Sequence, residues 1–183
     1  TEWPKADITK VLAPYSDRMK KLIEDPDKFY TPMVRPSGHD IGKGFAKDNG
    51  GAIPPNLLQI PNSESNGVYQ SGCKAIGAKA HPARFPAKLP EFFIRMLTDR
   101  GDLVVDIFGG SNTTGQVAES EGRRWITFEA LPEYVALSAF RFLDKGTPVE
   151  HMQALYASIL AGESVNVDAF RGQTGLRLES SND

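Results

Sequence analysis

LVVDIFGGSNTTG at residues 103–115 decides the fold of this chain, because an apolar run there leads directly into a loop of small residues. The run Leu103–Phe108 predicts a short strand buried on both faces. The loop that follows opens a predicted helix reaching about Glu121, and a second strand is predicted over Arg124–Glu129. A strand, a glycine loop, a helix and a strand in this order predict a right-handed β-α-β unit with a parallel sheet.

Further helices are indicated by apolar residues at helical spacing on either side of this unit. The segments are Pro14–Glu24, Leu89–Thr98 with Phe92, Phe93, Met96 and Leu97 turned inward, Pro132–Leu143 and His151–Leu160. The stretch from Tyr30 to Gly72 is rich in Pro, Gly, Asn and Ser, which is typical of loops and short strands. Leu57–Ile60 is the best strand candidate within it.

Composition narrows the class of protein. With 183 residues, 40% hydrophobic and 24% charged, the chain resembles an ordinary soluble globular protein, and we expect it in the cytoplasm because no apolar run could cross a membrane. Cys73 is the only cysteine, so an internal disulfide and a cysteine zinc cage are excluded, and no metal site is predicted. We read Cys73 as a reduced, partly buried side chain.

Charge gives a local rather than a global signal. The net charge of −2 carries no overall mark of nucleic-acid binding. Between Ser65 and Pro90, however, four basic residues occur and no acidic one, which suits either a phosphate-facing surface or a solvated basic surface. The four are Lys74, Lys79, Arg84 and Lys88.

The glycine loop has the chemistry of a nucleoside site. Glycines let the backbone approach a ligand, and a helix N-terminus presents unpaired N–H groups. Glu129, at the end of the next strand, is placed to accept hydrogen bonds from ribose hydroxyls. The loop has no Gly-Lys-Ser/Thr ending, and Asn112 stands where a dinucleotide-binding loop has its second diagnostic glycine. A nucleoside-containing cofactor is therefore favoured over a nucleotide triphosphate or a dinucleotide.

Three motifs together resemble a known family. His81-Pro82-Ala83-Arg84-Phe85-Pro86, the 106–115 loop and Phe128-Glu129 follow the motif order of beta-class amino-methylating DNA methyltransferases. The sequence departs from the family pattern at Asn112, where glycine is common, but asparagine tolerates a positive φ better than most residues.

The resemblance implies an α/β, Rossmann-like S-adenosylmethionine-dependent methyltransferase fold with an incomplete sheet and a loop-rich target-recognition segment. It implies S-adenosyl-L-methionine as cofactor and S-adenosyl-L-homocysteine as product. The implied cofactor-binding residues are His81, Pro82, Arg84, Phe85, Pro86, Asp106, Phe108, Gly109, Gly110, Ser111, Asn112, Thr113, Thr114, Glu129 and Ala130, with Leu131 near the adenine.

The resemblance also divides the chain. Residues 1–29 would form an N-terminal helix and linker, 30–79 the target-recognition segment, 80–165 the cofactor-binding α/β subdomain and 166–183 a flexible tail. The recognition segment would contact double-stranded DNA, with a CAGCTG palindrome as the implied target. The candidate DNA-binding residues are Arg35, Ser37, His39, Lys43, Ser63, Ser65, Lys74 and Lys79.

One family motif is missing. These enzymes hold the target amine with Ser-Pro-Pro-Tyr or Ser-Pro-Pro-Phe, and no such tetrapeptide occurs in these 183 residues. Ile53-Pro54-Pro55-Asn56 is read as a turn. We therefore expect no catalytic residue in this chain and an N-terminal catalytic half as partner, in the same polypeptide or as a separate chain.

The expected function is site-specific cytosine-N4 methylation of duplex DNA in a restriction-modification system, with this chain as a fragment, a truncated form or half of a split enzyme. Two alternatives remain open. One is half of an adenine-N6 methyltransferase, which shares these motifs, and the other is a non-catalytic DNA-binding remnant.

Overall fold

A computed structural model describes residues 6–29, 36, 43–62 and 67–170. They fall into two compact units, one containing residues of 1–59 together with 95–98, the other residues of 60–94 and 99–183. The cofactor motifs all belong to the second unit. We describe each unit by itself.

The first unit begins with short helical segments. A 3-10 turn, Ile8–Val11, is capped by Asp7, whose carboxylate accepts from the Thr9 amide at 2.9 Å. Helix α1 spans Asp17–Glu24 and α2 spans Pro26–Phe29, and a second 3-10 turn spans Lys43–Ala46. The helix predicted from Pro14 is confirmed, but it begins later because Ser16 caps it by accepting a hydrogen bond from the Met19 amide.

The strand predicted at Leu57–Ile60 is wrong. The extended pairing described in this unit is a single antiparallel bridge between Ala13 and Ala52, whose amides and carbonyls exchange two hydrogen bonds of 2.9 Å. Leu57 is 67% exposed. A strand needs a ladder partner and one covered face, and residues 57–60 have neither a ladder partner nor a buried side chain in the described structure.

Helix α4, Lys88–Leu97, confirms the prediction for this segment to within one residue. Its predicted inward face is wrong at two positions, because Phe93 and Leu97 are exposed while Pro90 and Ile94 are buried. Pro90 and Ile94 are four residues apart and therefore lie on one face of the helix. Two phenylalanines in sequence cannot both face inward, so one of the two is left outside.

The second unit contains the predicted β-α-β motif. Its remaining elements are α3 (Val68–Ala75), β1 (Leu103–Asp106), α5 (Thr113–Ser120), β2 (Arg124–Thr127), α6 (Pro132–Ser138), a 3-10 turn (Ala139–Phe142), α7 (Val149–Leu160) and a last 3-10 turn (Val167–Phe170). Strands β1 and β2 pair in parallel, from Leu103 opposite Arg124 to Asp106 opposite Thr127. The parallel pair and the helices near 132–143 and 151–160 are confirmed.

Helix α3 was missed, because loops were predicted as far as Gly72. Its glycines and serine are typical of loops, but Gly72 serves close packing instead. A Cβ at Gly72 would lie 2.8 Å from Phe140 Cδ2, so only glycine lets the helix approach that ring. The flexible tail predicted from residue 166 begins with the turn Val167–Phe170, and residues 171–183 lie outside the described ranges.

The second unit has two hydrophobic clusters. The larger joins α3, α6 and α7 with the turn between the last two; its buried members are Tyr69, Cys73, Leu137, Ala139, Phe140, Leu143, Met152 and Leu155. The smaller consists of Ile94, Val117 and Ala118, with Val104 and Trp125 of the sheet packed against it. Cys73, expected to be reduced and partly buried, is a free and buried cysteine, and burial raises the pKa of its thiol, which disfavours the thiolate.

The prediction that β1 is buried on both faces is wrong. Leu103 and Val105 are 46% and 53% exposed, and Ile126 on β2 is 45% exposed, whereas Val104 and Trp125 on the opposite face pack against the smaller cluster. Alternate residues of a strand point to opposite faces, and α5 covers only one of them. The continuous apolar run therefore overstates the burial that the described residues provide.

Candidate functional site

The glycine-rich loop lies at the carboxyl ends of both strands. The Gly109 amide donates to the Phe128 carbonyl at 2.7 Å, and the Gly110 amide donates to Glu129 Oε2 at 2.9 Å. Gly110 has a φ of +51°, which costs glycine little. Parallel strands end at the same edge of a sheet, so the loop and Glu129 are brought together as the sequence predicts.

Asn112 starts helix α5 in the left-handed conformation, with φ 57° and ψ 40°. Its amide donates to the Gly109 carbonyl at 2.7 Å, and its Oδ1 accepts from the Gly115 amide at 3.1 Å. Asparagine therefore does more than tolerate a positive φ here, because it also caps the helix, a role that the sequence analysis did not foresee.

The small polar residues of the loop face the protein. Ser111, Asn112 and Thr113 are all buried, and the hydroxyls of Ser111 and Thr113 lie 3.3 Å apart. Thr114, in the first turn of α5, is half-buried. Hydrogen bonds to side chains and to backbone thus fix the conformation of the loop.

Glu129 is held by backbone donors on both carboxylate oxygens. Its Oε1 accepts from the Leu131 amide at 3.0 Å, in addition to the Gly110 contact of Oε2. Hydrogen bonding from Leu131 lowers the pKa of Glu129, with further lowering by Gly110, Ala130 and His81 that outweighs the opposing effect of burial. The carboxylate is therefore ionised at neutral pH and pre-oriented at the edge of the sheet.

The His81 turn lies against the same loop. A Cβ at Gly110 would be 3.3 Å from His81 Cε1, so the absence of a side chain at Gly110 lets the imidazole approach the backbone. The ring is oriented by Nδ1, 2.8 Å from the Ala83 carbonyl, and by an edge-to-face contact with Tyr134 at 4.5 Å between centroids. Arg84 donates from Nη1 to the His81 carbonyl at 2.6 Å, which closes the turn.

Tyr69 and Arg141 belong to this site and were missed. Tyr69 Oη accepts from the His81 amide at 2.9 Å, and burial raises the pKa of its phenol, which stays protonated. Arg141 donates to both the carbonyl and the hydroxyl of Ser111. Neither residue lies in a recognisable motif, and Tyr69 lies in α3, whose composition is typical of a loop, so no local pattern marked either of them.

Two cavities meet at these residues. One, of about 130 Å³, is lined by Asn62, Gly67, Tyr69, Gln70, Pro82, Arg84, Phe85 and Arg141. The other, of about 290 Å³, is lined by Gly67, Val68, Tyr69, Ala87, Gln116, Val117, Ser120 and Arg141. Among the described residues that line the first cavity there are two arginines and no acidic residue, which suits an anionic group.

Several predicted site residues are exposed around the loop. Phe108 is 83% exposed immediately before Gly109, and Phe85, Pro82, Ala130 and Leu131 are also exposed. The Asp106 carboxylate accepts from the Phe108 amide at 2.9 Å and so shapes the start of the loop. Pro86 accepts from the Leu89 amide at the start of α4.

The candidate DNA-binding residues are placed only in part. Lys74 at the end of α3 and Lys79 after it are exposed. The backbone of Lys43 lies in a 3-10 turn of the first unit, and its side chain is outside the described structure. The other five fall outside the described residues: Arg35, Ser37, His39, Ser63 and Ser65.

Three other observations bear on the class of protein. Ile53-Pro54-Pro55-Asn56, predicted as a turn, contains neither helix nor strand and has a bend at Asn56. Within the described ranges no three His, Cys, Asp or Glu residues cluster as metal ligands would. In the same ranges, no helix combines the length and apolar character needed to cross a membrane.

The fold and the loop define a class. Residues 2–140 match the family model for DNA methylases that covers the N6 and N4 enzymes, and the chain belongs to this family. The model spans the motif loop, both strands and the His81 turn.

Individual relatives narrow the comparison within this family. The chain is 75% identical to the type II methyltransferase M.PvuII of Proteus hauseri over 169 residues, which cover 92% of this chain and 50% of that protein. It is 48% identical to M.BglI of Bacillus subtilis over 58 residues, 32% of this chain and 17% of that one. The solved structure of PvuII DNA methyltransferase (cytosine-N4-specific) superposes with a TM-score of 0.67 at 55% identity, covering 92% of this chain and 46% of that chain. The chain thus spans half the length, or less, of these relatives.

Proposed function

We propose that this chain is the cofactor-binding part of a site-specific DNA methyltransferase that transfers a methyl group from S-adenosylmethionine to the N4 amine of cytosine in duplex DNA, within a restriction-modification system. The observation that carries the proposal is the meeting of His81, Gly110 and Glu129 at one edge of a parallel β-α-β unit. The cytosine-N4 specificity of the superposed PvuII enzyme favours this over adenine-N6 methylation.

The fold proposed is the Rossmann-like methyltransferase fold. Its support is the parallel β1-β2 pair with the glycine loop at the carboxyl ends of the strands, the position at which open α/β sheets bind ligands. In this chain the described sheet has two strands, so the proposal assigns the remaining strands to the half of the relatives' length that this chain does not span.

The residues present fit an S-adenosyl group. Glu129 is an ionised acceptor that is oriented toward the loop, which suits ribose hydroxyls. Ala130 and Leu131 follow it as an apolar surface for adenine. Asp106, Phe108, Gly110 and Ser111 would line the methionine portion, and the cavity between Arg84 and Arg141, beside Pro82 and Phe85, has the positive charge that a carboxylate requires.

The chemistry divides between cofactor and protein. When bound, S-adenosylmethionine supplies an electrophilic methyl group on a sulfonium. The residues of this chain contribute binding and orientation: the loop backbone fixes the donor, Glu129 fixes its ribose, and the fixed geometry reduces the entropy lost on reaching the transition state. No residue here is assigned to the target amine, which we attribute to the other half of the enzyme.

Calorimetric titration with S-adenosylhomocysteine tests the cofactor site. We expect wild-type chain to bind and Glu129→Gln to bind about tenfold to hundredfold more weakly, because hydrogen bonds to a charged acceptor contribute roughly 1.5–3 kcal/mol. Glu150→Gln, an exposed glutamate in the first turn of α7, is the matched control and should bind like wild type. Absence of binding by the folded wild-type chain would favour the non-catalytic remnant instead.

Transfer of tritiated methyl to DNA tests the division of the enzyme. The chain alone should give no turnover, whereas mixing it with the complementary N-terminal half of a relative should restore transfer to a CAGCTG duplex. A duplex with the same base composition in permuted order is the control for the recognition sequence. Clear turnover by the chain alone would contradict the assignment of the catalytic residues to the other half.

A further inference from the structure

We infer that Arg141 is a positioning residue for the glycine-rich loop of residues 109–112, which it holds in the conformation that binds the cofactor. Arg141 lies in the 3-10 turn Ala139–Phe142, thirty positions beyond the residue that it holds. The inference rests on the proposed function, because it assigns Arg141 a role in the same cofactor site.

The guanidinium contacts a single loop residue twice. Nε donates to the Ser111 carbonyl and Nη2 donates to Ser111 Oγ at 2.9 Å. A planar guanidinium presents parallel donors at fixed spacing, so binding two oxygens of one residue fixes both the backbone and the side-chain rotamer of Ser111. Ser111 lies between Gly110 and Asn112, the two loop residues with a positive φ.

The same guanidinium reaches the helix that follows the loop. Nη1 donates to Gln116 Oε1 at 3.1 Å, and Gln116 Nε2 donates back to the Arg141 carbonyl at 3.3 Å. Gln116 is in the first turns of α5, whose first residue follows Asn112. Arg141 therefore fixes the loop relative to the helix N-terminus, which is the part of the motif that faces a bound ligand.

The third contact links Arg141 to the other side of the loop. Its guanidinium lies over the Tyr69 ring, 4.8 Å from the centroid. Tyr69 in turn accepts from the His81 amide, and the His81 ring lies against Gly110. The loop is thus held directly at Ser111 and indirectly, through Tyr69 and His81, at Gly110.

A matched control is available at the far end of α5. Arg123 carries another guanidinium, with its side chain 7% exposed and Nη1 donating to the Glu121 carbonyl at 2.7 Å. Replacing either arginine by methionine removes a positive charge and its hydrogen bonds while keeping a long side chain. Arg141 contacts the loop before α5, whereas Arg123 follows the opposite end of that helix.

Amide hydrogen exchange in the ligand-free chain is the deciding measurement. Arg141→Met should raise exchange at Asn112, Gly115 and Gln116 by about tenfold or more, with Phe128 on the sheet changing less than about threefold. Arg123→Met should leave exchange at the amides of Asn112, Gly115 and Gln116 unchanged. A uniform rise across loop and sheet in Arg141→Met, or no rise in the loop, would overturn the inference.

Binding of S-adenosylhomocysteine gives a second readout. Arg141→Met should weaken binding of S-adenosylhomocysteine at least tenfold relative to Arg123→Met. Arg141→Lys should recover only a small part of the lost affinity, because an ammonium keeps the positive charge but cannot donate the parallel hydrogen bonds of a planar guanidinium. Full recovery by Arg141→Lys would contradict a positioning role. If the wild-type chain fails to bind, the proposed function fails, while the exchange experiment still decides the role of Arg141.

Discussion

The two faces of the β1-β2 sheet differ sharply. On one face Val104 and Trp125 pack against Val117 and Ala118 of α5, and Trp125 also stacks on Phe142 with ring centroids 4.9 Å apart. On the other face Leu103, Val105 and Ile126 have about half their surface exposed. The residue types on the two faces are nevertheless alike.

The difference shows that apolar residues in a strand do not by themselves prove burial. Leu103, Val105 and Ile126 are suited to a covered face, but the described residues of this chain leave that face partly exposed. Large apolar side chains in paired strands are favoured where both faces are covered. Here one face is a closed core and the other is open, in a chain that spans half the length of its relatives. Stability should therefore respond to substitution on one face only.

The largest effect is expected on the covered side. Ile94→Ala, in the cluster that packs on Val104 and Trp125, should lower the free energy of unfolding by about 2–5 kcal/mol because it leaves a cavity. Ile126→Ala on the open face should cost less than about 1 kcal/mol, which is the range of strand propensity. Urea unfolding followed by tryptophan fluorescence measures both, and equal losses would contradict the distinction between the faces.

The glycine-rich loop at the carboxyl ends of the strands should show a smaller effect. Gly110→Ala places a Cβ at a φ of +51° and 3.3 Å from the His81 ring, so we expect a loss above the roughly 1–2 kcal/mol of a left-handed alanine. Gly77→Ala is the control, since its φ is +73° but nothing lies within 4 Å of the added Cβ. The difference between their unfolding free energies measures the His81 contact; if it is zero, His81 does not restrain the loop.

Asn112 offers a second test of the loop, because it combines a positive φ with a helix cap. Asn112→Ala removes the helix cap and leaves a side chain at positive φ, which should cost about 1–2 kcal/mol. Asn112→Gly loses the cap but gains conformational freedom, and a change of only a few tenths of a kcal/mol is expected. Thermal unfolding of the two variants compares them, and equal losses would mean that backbone conformation is not the cause.

The smallest effect concerns pH. Hydrogen bonds from Leu131 and Gly110 lower the pKa of Glu129 in the folded chain, so its contribution to stability is present above the ordinary glutamate pKa, about 4.3, and is lost as pH falls through the lowered value. Glu129→Gln should therefore remove part of the acid-dependent loss of stability. Urea unfolding of wild type and Glu129→Gln over a series of pH values measures this, and identical acid profiles for the two would refute the assignment.

Sequence reasoning succeeded where the signal was local. The parallel pair, the glycine loop and the approach of Glu129 to it follow from a short run of residues whose spacing fixes their geometry. It failed where long-range packing decides, as at α3, whose loop-like composition conceals the contact between Gly72 and Phe140. Arg141 was missed for the same reason, since thirty positions separate it from Ser111 and no periodicity links the two.

Asn112 and Gly115 have a consequence for how this loop can evolve. A Cβ at Gly115 would lie 2.2 Å from Asn112 Oδ1 and 2.9 Å from Trp125 Cε3. The asparagine that caps the helix thus occupies space that any larger residue at 115 would need, so the two positions are not free to vary independently. Trp125 limits the same space from the sheet, so an enlargement at 115 would require both Asn112 and Trp125 to change or to move.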